Sequence, residues 1–423
     1  MSEQKKVKNN AVEFWRIVFT IGVTFFHFNL FSRVRCLGGP KAGIGSFILQ
    51  GGWVLGYFLF LTGYFMMASY MKKDAKGLID HENAYKPAWA YFWSRIKGLM
   101  PAFFLGTLFV FIIRNIAVGT PISMYPVLFF RSIFEFLGLQ QIGMLGYNDV
   151  TNNADLAAML FGSAEQAAEG AAGAAAQAAG AAWPSGFRAG LVASNTPLWN
   201  GPGWYISAII VVAVIMYWVL CKKKDFFIGI FCPAAIILGY GYYGLIAGES
   251  WTSTNALAFG LPVRVLRVIA GLSVGCLLYF VVDWLKKTEF SKRHKVLWNV
   301  LSIGFTAFIL YFMWTGTQWN EMQNNAVLLP LTVIILVGDD VISNFLSKTI
   351  GGFSAYVGKL SLYWYISHWG WVFALPAFFP DMAYLPMAGL YVLLSFVTAN
   401  IIMLIDDKCV KPLINKPRQK AAA

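Results

Sequence analysis

Arg16 and His27 stand eleven residues apart in the run EFWRIVFTIGVTFFHFN, Glu13 to Asn29, which is otherwise strongly apolar. An imidazole exchanges a proton near neutral pH. A guanidinium offers a planar fork to phosphate or carboxylate. On a helix, eleven residues make three turns plus about 20°, so the two side chains share a face about 16 Å apart. A charge turned toward lipid costs several kcal/mol, so both are expected to face the interior of a bundle. Plainer readings stand beside these: Arg16 pairs with Glu13, one turn earlier, and His27 makes a hydrogen bond between helices. The other in-span candidates are His368 in YWYISHWGW and Arg264 and Arg267 in PVRVLRVIAGLSVG. Two in-span histidines with several arginines imply a polar chamber. His81 and His294 fall in basic loops and are expected to be solvated.

Such a chamber needs helices around it, and the composition supplies them. Of 423 residues, 58% are hydrophobic, 17% aromatic and only 13% charged, against about a quarter charged in soluble domains. The expected fold is all-α, a polytopic transmembrane helical bundle. The net charge of +13 does not point to nucleic acid, because the basic residues sit in short loops beside apolar runs, where topology requires them. The five cysteines are scattered, with no CxxC pair; neither a metal site nor a disulfide framework is expected. The first apolar run is long for a signal peptide and lacks a small-residue cleavage site, so it reads as a retained helix.

Candidate spans cover 11–32, 48–70, 98–117, 203–220, 226–247, 259–283, 296–315, 325–345, 355–377 and 385–405, about ten transmembrane helices of near 20 residues each. With the N-terminus inside, KKDAKGLIDHENAYKP, CKKKD, DWLKKTEFSKRHK, SNFLSKTIGG and the lysine-rich tail share one side. The opposite set includes GESWTSTN, TGTQWNEMQNN and FPDMAYLP, which carry no Lys or Arg. Both termini are therefore expected to be cytoplasmic. Residues 121–145 are read as an interfacial or re-entrant piece, since a further span there would invert every later loop. The low-complexity stretch GSAEQAAEGAAGAAAQAAGAA is placed in an extracytoplasmic loop covering about 146–202. It is read as a lid over an acceptor or as a tolerated surface insertion.

Arginine, ten residues, then histidine in the first membrane helix resembles the signature of the acyltransferase family 3 membrane proteins. GYFLFLTGYFM resembles the family's second-helix run, with Thr62 in the serine place. WSRIKGLMPAFF resembles the start of the third helix, with Arg95 and Pro101. RVLRVIAGLSVGCLLY resembles the Arg-then-Gly helix, and VGKLSLYWYISHWGW the late motif of Gly, Ser, Leu, Tyr and His. The resemblance spans nearly the whole chain, which is read as one membrane acyltransferase domain over 1–423. The family's fourth-helix pattern of Trp, Ser, Leu and a later Glu reads GPGWYISAII here, without the glutamate.

The resemblance implies transfer of an acyl group, often acetyl from acetyl-CoA, to a hydroxyl of an extracytoplasmic glycan or related cell-envelope acceptor. The expected setting is a bacterial plasma membrane. Acyl-CoA is a donor substrate, and no bound cofactor is expected. Arg16 and His27 match the family's functional pair; His368 and Arg95 match further positions. His27, with His368 as a second candidate, is expected to be the base that takes the acceptor proton. Arg16 and Arg95, with Lys72, Lys73 and Lys97 nearby, would receive the CoA phosphates, although cytoplasmic topology alone already accounts for the lysines. Arg264, Arg267 and Tyr363 are candidate donors to the oxyanion by residue type. Trp199, Trp204, Trp251 and Trp319 would either stack on sugars or form an interfacial belt. A transporter or flippase of a glycan or lipid-linked intermediate is the alternative, and a structural or sensor protein a third.

Overall fold

The computed structural model describes residues 9–31, 52–117, 119–139, 200–241, 257–258, 261–315 and 321–414. The Ala-rich stretch, Trp199, Trp251, Trp319 and Cys36 lie outside the described residues. In chain order the helices are α1 Ala11–Phe31, α2 Leu55–Asp74, α3 Tyr85–Ala117, α4 Tyr125–Arg131, α5 Ile133–Phe136 and α6 Trp204–Lys222. They continue with α7 Lys224–Gly241, α8 Val263–Lys287, α9 Lys292–Thr315 and α10 Glu321–Val337. The last are α11 Val341–Thr349, α12 Gly351–Phe378 and α13 Tyr384–Ile414. Among the described residues the strand pairing is one two-residue antiparallel ladder, Leu257–Ala258 with Leu261–Pro262. The fold is all-α and membrane-spanning.

Helices occupy all ten expected places, yet the count of ten spans is not reproduced. Among the described residues seven helices are long and apolar enough to cross a membrane, or eight if the bent pair Gln323–Val337 and Val341–Thr349 is one span. The two that fall short are α2 and α12. Both are rich in Tyr, Ser and Gly and mostly buried. These residues lower their mean hydropathy; burial does not set them apart, because α1, α6 and α8 are at least as buried and still qualify. Residues 122–136 form only short helical pieces, broken at Ser132, whose hydroxyl donates to the Leu128 carbonyl. None alone has the length of a span. They pack Leu128 and Phe136 against Phe111 of α3.

The chain forms two compact units: Met1–Tyr91 with Ala208–Ser361, and Phe92–Ser207 with Leu362–Ala423. In the first unit α2 and α8 meet backbone to backbone. A Cβ on Gly63 would lie 2.1 Å from the Leu272 carbonyl oxygen, and one on Gly275 would lie 2.2 Å from that of Phe60. Small residues at such a seam are how membrane helices gain close packing without a hydrophobic driving force. The start of α1 is tied into the bend after α10. The Asn9 amide donates to the Ile335 carbonyl at 2.7 Å, and the Asn10 amide to that of Gly351 at 3.0 Å. The bend measures 48°. Gly338 turns the chain there with φ +74°. Asp340 then caps α11, accepting from the Ile342 and Ser343 N–H groups, while Ser302 of α9 donates to the same carboxylate at 2.6 Å. These polar ties fix the height of α1, and with it Arg16.

Candidate active site

In the first unit α1 runs unbroken from Ala11 to Phe31, so the single face expected for Arg16 and His27 follows from its geometry. The Arg16 Nη1 donates to Glu13 Oε2 at 2.9 Å. Both side chains are half-buried. Glu13 in turn lies against Gly358 of α12, where a Cβ would come within 2.3 Å of the Glu13 Cβ and 2.5 Å of its Oε2. The Tyr57 hydroxyl donates to the Val12 carbonyl at 3.2 Å, and its ring meets Phe19 edge-on at 4.7 Å. His27 is half-buried near the far end of α1. Arg267 is buried on α8, and Arg264 is the second residue of that helix.

The basic loops of this unit carry a clamp. His81 places Nδ1 2.9 Å from the Cys221 carbonyl and Nε2 3.2 Å from Asp74 Oδ1. Lys224 donates to the other Asp74 oxygen at 2.9 Å. His81 is 52% exposed, as expected of a loop residue, yet it is not merely solvated: it joins the loop after α2 to the end of α6. His294 is exposed and bonds to Ser291. Lys72 is exposed, and Lys73 sits 5.9 Å from the centre of the Tyr217 ring.

The second unit holds Arg95, Tyr363 and His368. Arg95 is half-buried on α3, and Lys97 is exposed. His368 is fully buried on α12, with Nδ1 2.6 Å from the Tyr365 carbonyl. A carbonyl only accepts, so Nδ1 carries a proton. The Tyr363 hydroxyl donates to Asp406 Oδ2 at 2.6 Å and accepts from Lys411 at 2.9 Å. Lys411 also reaches Asp406 and Asp407 at 2.9 and 3.1 Å. The Tyr363 proton is therefore engaged by a buried carboxylate. Trp204 opens α6 and is half-buried.

Sequence reasoning missed Arg114 and Glu135. Both are buried in this unit, Glu135 completely. The Glu135 carboxylate accepts the Asn200 backbone N–H at 2.6 Å and its charge acts on Arg114. The Arg114 guanidinium lies over the Phe373 ring at 4.4 Å. The Asn200 amide donates to Thr107 Oγ1 at 3.2 Å and to the Ile366 carbonyl at 3.0 Å. The signal available in the sequence was an ionisable residue within an apolar run. The segment GPGWYISAII lacks a carboxylate of its own; Glu135 brings one to the residue just before it.

Long apolar helices with ionisable groups turned inward define a multi-pass membrane protein with a polar interior. Residues 9–405 match the family model described as "Acyltransferase domain". The chain belongs to that family, acyltransferase family 3, and is a membrane acyltransferase. No curated protein and no solved structure matches it.

Proposed function

We propose that this acyltransferase moves an acyl group, with acetyl as the expected one, from cytoplasmic acyl-CoA to a hydroxyl of an extracytoplasmic glycan or related envelope acceptor. The proposed setting is a bacterial plasma membrane, and the lysine distribution supports placing both termini in the cytoplasm. The observation that carries the reading is the placement of Arg16 and His27 on one face of one unbroken helix. Donor anchoring and proton removal then line a single path. Arg16, steadied by Glu13, meets the phosphate end of CoA. His27 takes the proton of the acceptor hydroxyl as its oxygen attacks the thioester carbonyl. The C–S bond breaks, the ester forms, and the imidazolium returns the proton to the departing CoA thiolate. Arg264 and Arg267 are candidate donors to the oxyanion.

The test uses the full chain in nanodiscs, radiolabelled acetyl-CoA and envelope polysaccharide from the native host. His27→Gln keeps a hydrogen-bonding side chain but cannot take the proton. It is expected to lower transfer by about 10²–10⁴ while donor binding persists. Near-normal turnover in that variant would overturn the role of His27. A wild type that releases no CoA in the presence of acceptor would overturn the reaction.

A further inference from the structure

Asn325 of α10 is 9% exposed, and among the described residues neither its Oδ1 nor its Nδ2 has a hydrogen-bond partner. Buried amides are almost always paired, and one left open calls for an explanation. Space for it is made by a glycine. A Cβ at Gly56 of α2 would fall 2.7 Å from Asn325 Oδ1 and 3.3 Å from Leu328 Cδ2. A glycine inside a helix is itself unfavourable. Two costly choices on two helices therefore meet at one polar niche in apolar surroundings.

The height of this niche follows from the ties already described. Asn9, at the start of α1, bonds the Ile335 carbonyl near the end of α10. The two helices pack together, running in opposite directions. Counting back ten residues along α10 from Ile335, about 15 Å, reaches Asn325; ten along α1 from Asn9 reaches Phe19. The Tyr57 ring, beside Gly56 in sequence, packs on Phe19 while its hydroxyl reaches the Val12 carbonyl, so this part of α2 lies alongside the Val12–Phe19 stretch of α1. The niche thus lies about 5 Å beyond Arg16 and about 12 Å short of His27 along α1.

We propose that Asn325 binds the pantetheine arm of the donor. This rests on the acyl-CoA reading above, in which the phosphate end sits at Arg16 and the thioester at His27. The arm between them carries two secondary amides. Asn325 Nδ2 donates to a carbonyl of the arm, and Oδ1 accepts from an arm N–H. Gly56 leaves room for the Asn325 amide itself, and the Leu328 side chain gives way as the arm enters.

The experiment compares acetyl-CoA with the adenosine bisphosphate fragment of CoA, which lacks the arm. Binding of each is measured calorimetrically on the full-length chain in nanodiscs. Asn325→Leu, and separately Gly56→Ala, are expected to weaken acetyl-CoA about tenfold and leave the fragment unchanged. Asn325→Leu is also expected to raise Tm, because it removes an unpaired buried amide. Arg16→Ala, as control, weakens both ligands. Equal weakening of both by Asn325→Leu would mark a general structural role and overturn the assignment, as would acetyl-CoA binding within twofold of wild type. If the wild type binds no acetyl-CoA, the donor reading itself is overturned, and this assignment with it.

Discussion

The Arg16 guanidinium is held 2.9 Å from the Glu13 carboxylate, one turn back on α1. A lone arginine on an apolar helix has many rotamers. A carboxylate at i−3 selects one, and a charge-assisted bond is stronger than a neutral one. The pair is partly exposed, so its direct contribution to stability is small. Its effect is on where the guanidinium points.

Arg16→Ala is expected to weaken acetyl-CoA binding about tenfold or more, the scale of a lost bond to a charged group. Arg16→Lys should restore part of it, since a point charge replaces a planar fork. Calorimetry on the purified chain checks both. Intact donor binding in the double variant Glu13→Ala, Arg16→Ala would show that the two residues serve only each other.

Gly358→Ala tests the other side of the same pair. The new methyl would come within 2.3 Å of the Glu13 Cβ, and overpacking of this kind costs about 1–3 kcal/mol. The expected result is a lower Tm together with a raised KM for acetyl-CoA, because Glu13 is displaced from Arg16. A lowered Tm with unchanged KM would separate packing from Arg16 placement.

His368→Ala is expected to lose less transfer per folded molecule than His27→Gln. His368 is fully buried, and its Nδ1 proton is given to its own helix at Tyr365. Truncating a buried side chain leaves a cavity, so Tm should fall by the equivalent of about 2–5 kcal/mol. Activity normalised to folded protein decides between the two histidines.

The sequence is most informative where interactions are local. The α1 face, the Glu13–Arg16 pair and the positions of ten helices all follow from spacing and apolar periodicity within a few turns. The span count was less legible, because the Tyr, Ser and Gly residues of α2 and α12 lower their hydropathy although both helices are long enough to cross. Tyr363 was readable as a donor, but not that Asp406 and Lys411, more than 40 residues on, engage it. Glu135 reaches Asn200 across 65 residues of chain, and no periodicity encodes a contact of that separation.

Glu135→Ala is expected to be strongly destabilising. It removes the acceptor of the Asn200 N–H and the charge facing Arg114, both in buried surroundings. Stranding a buried partner costs about 3–5 kcal/mol. The double variant Arg114→Met, Glu135→Gln should recover part of this, because it removes the uncompensated cation. Thermal unfolding of the three proteins in one detergent measures the coupling. Additive losses would mean that Arg114 and Glu135 act separately.

Placing 121–145 on the outer surface keeps CKKKD and every later lysine-rich loop cytoplasmic; a full span there would invert them all. The described part of that segment is broken at Ser132 into pieces too short to cross alone. Ser185→Cys in a background with the native cysteines replaced is therefore expected to react with an impermeant maleimide added to intact cells. A cysteine at Lys223, in the loop before α7, should react only after the cells are opened. Reversal of both results would require an additional crossing before α6 and would place the lysine-rich loops from CKKKD onward outside.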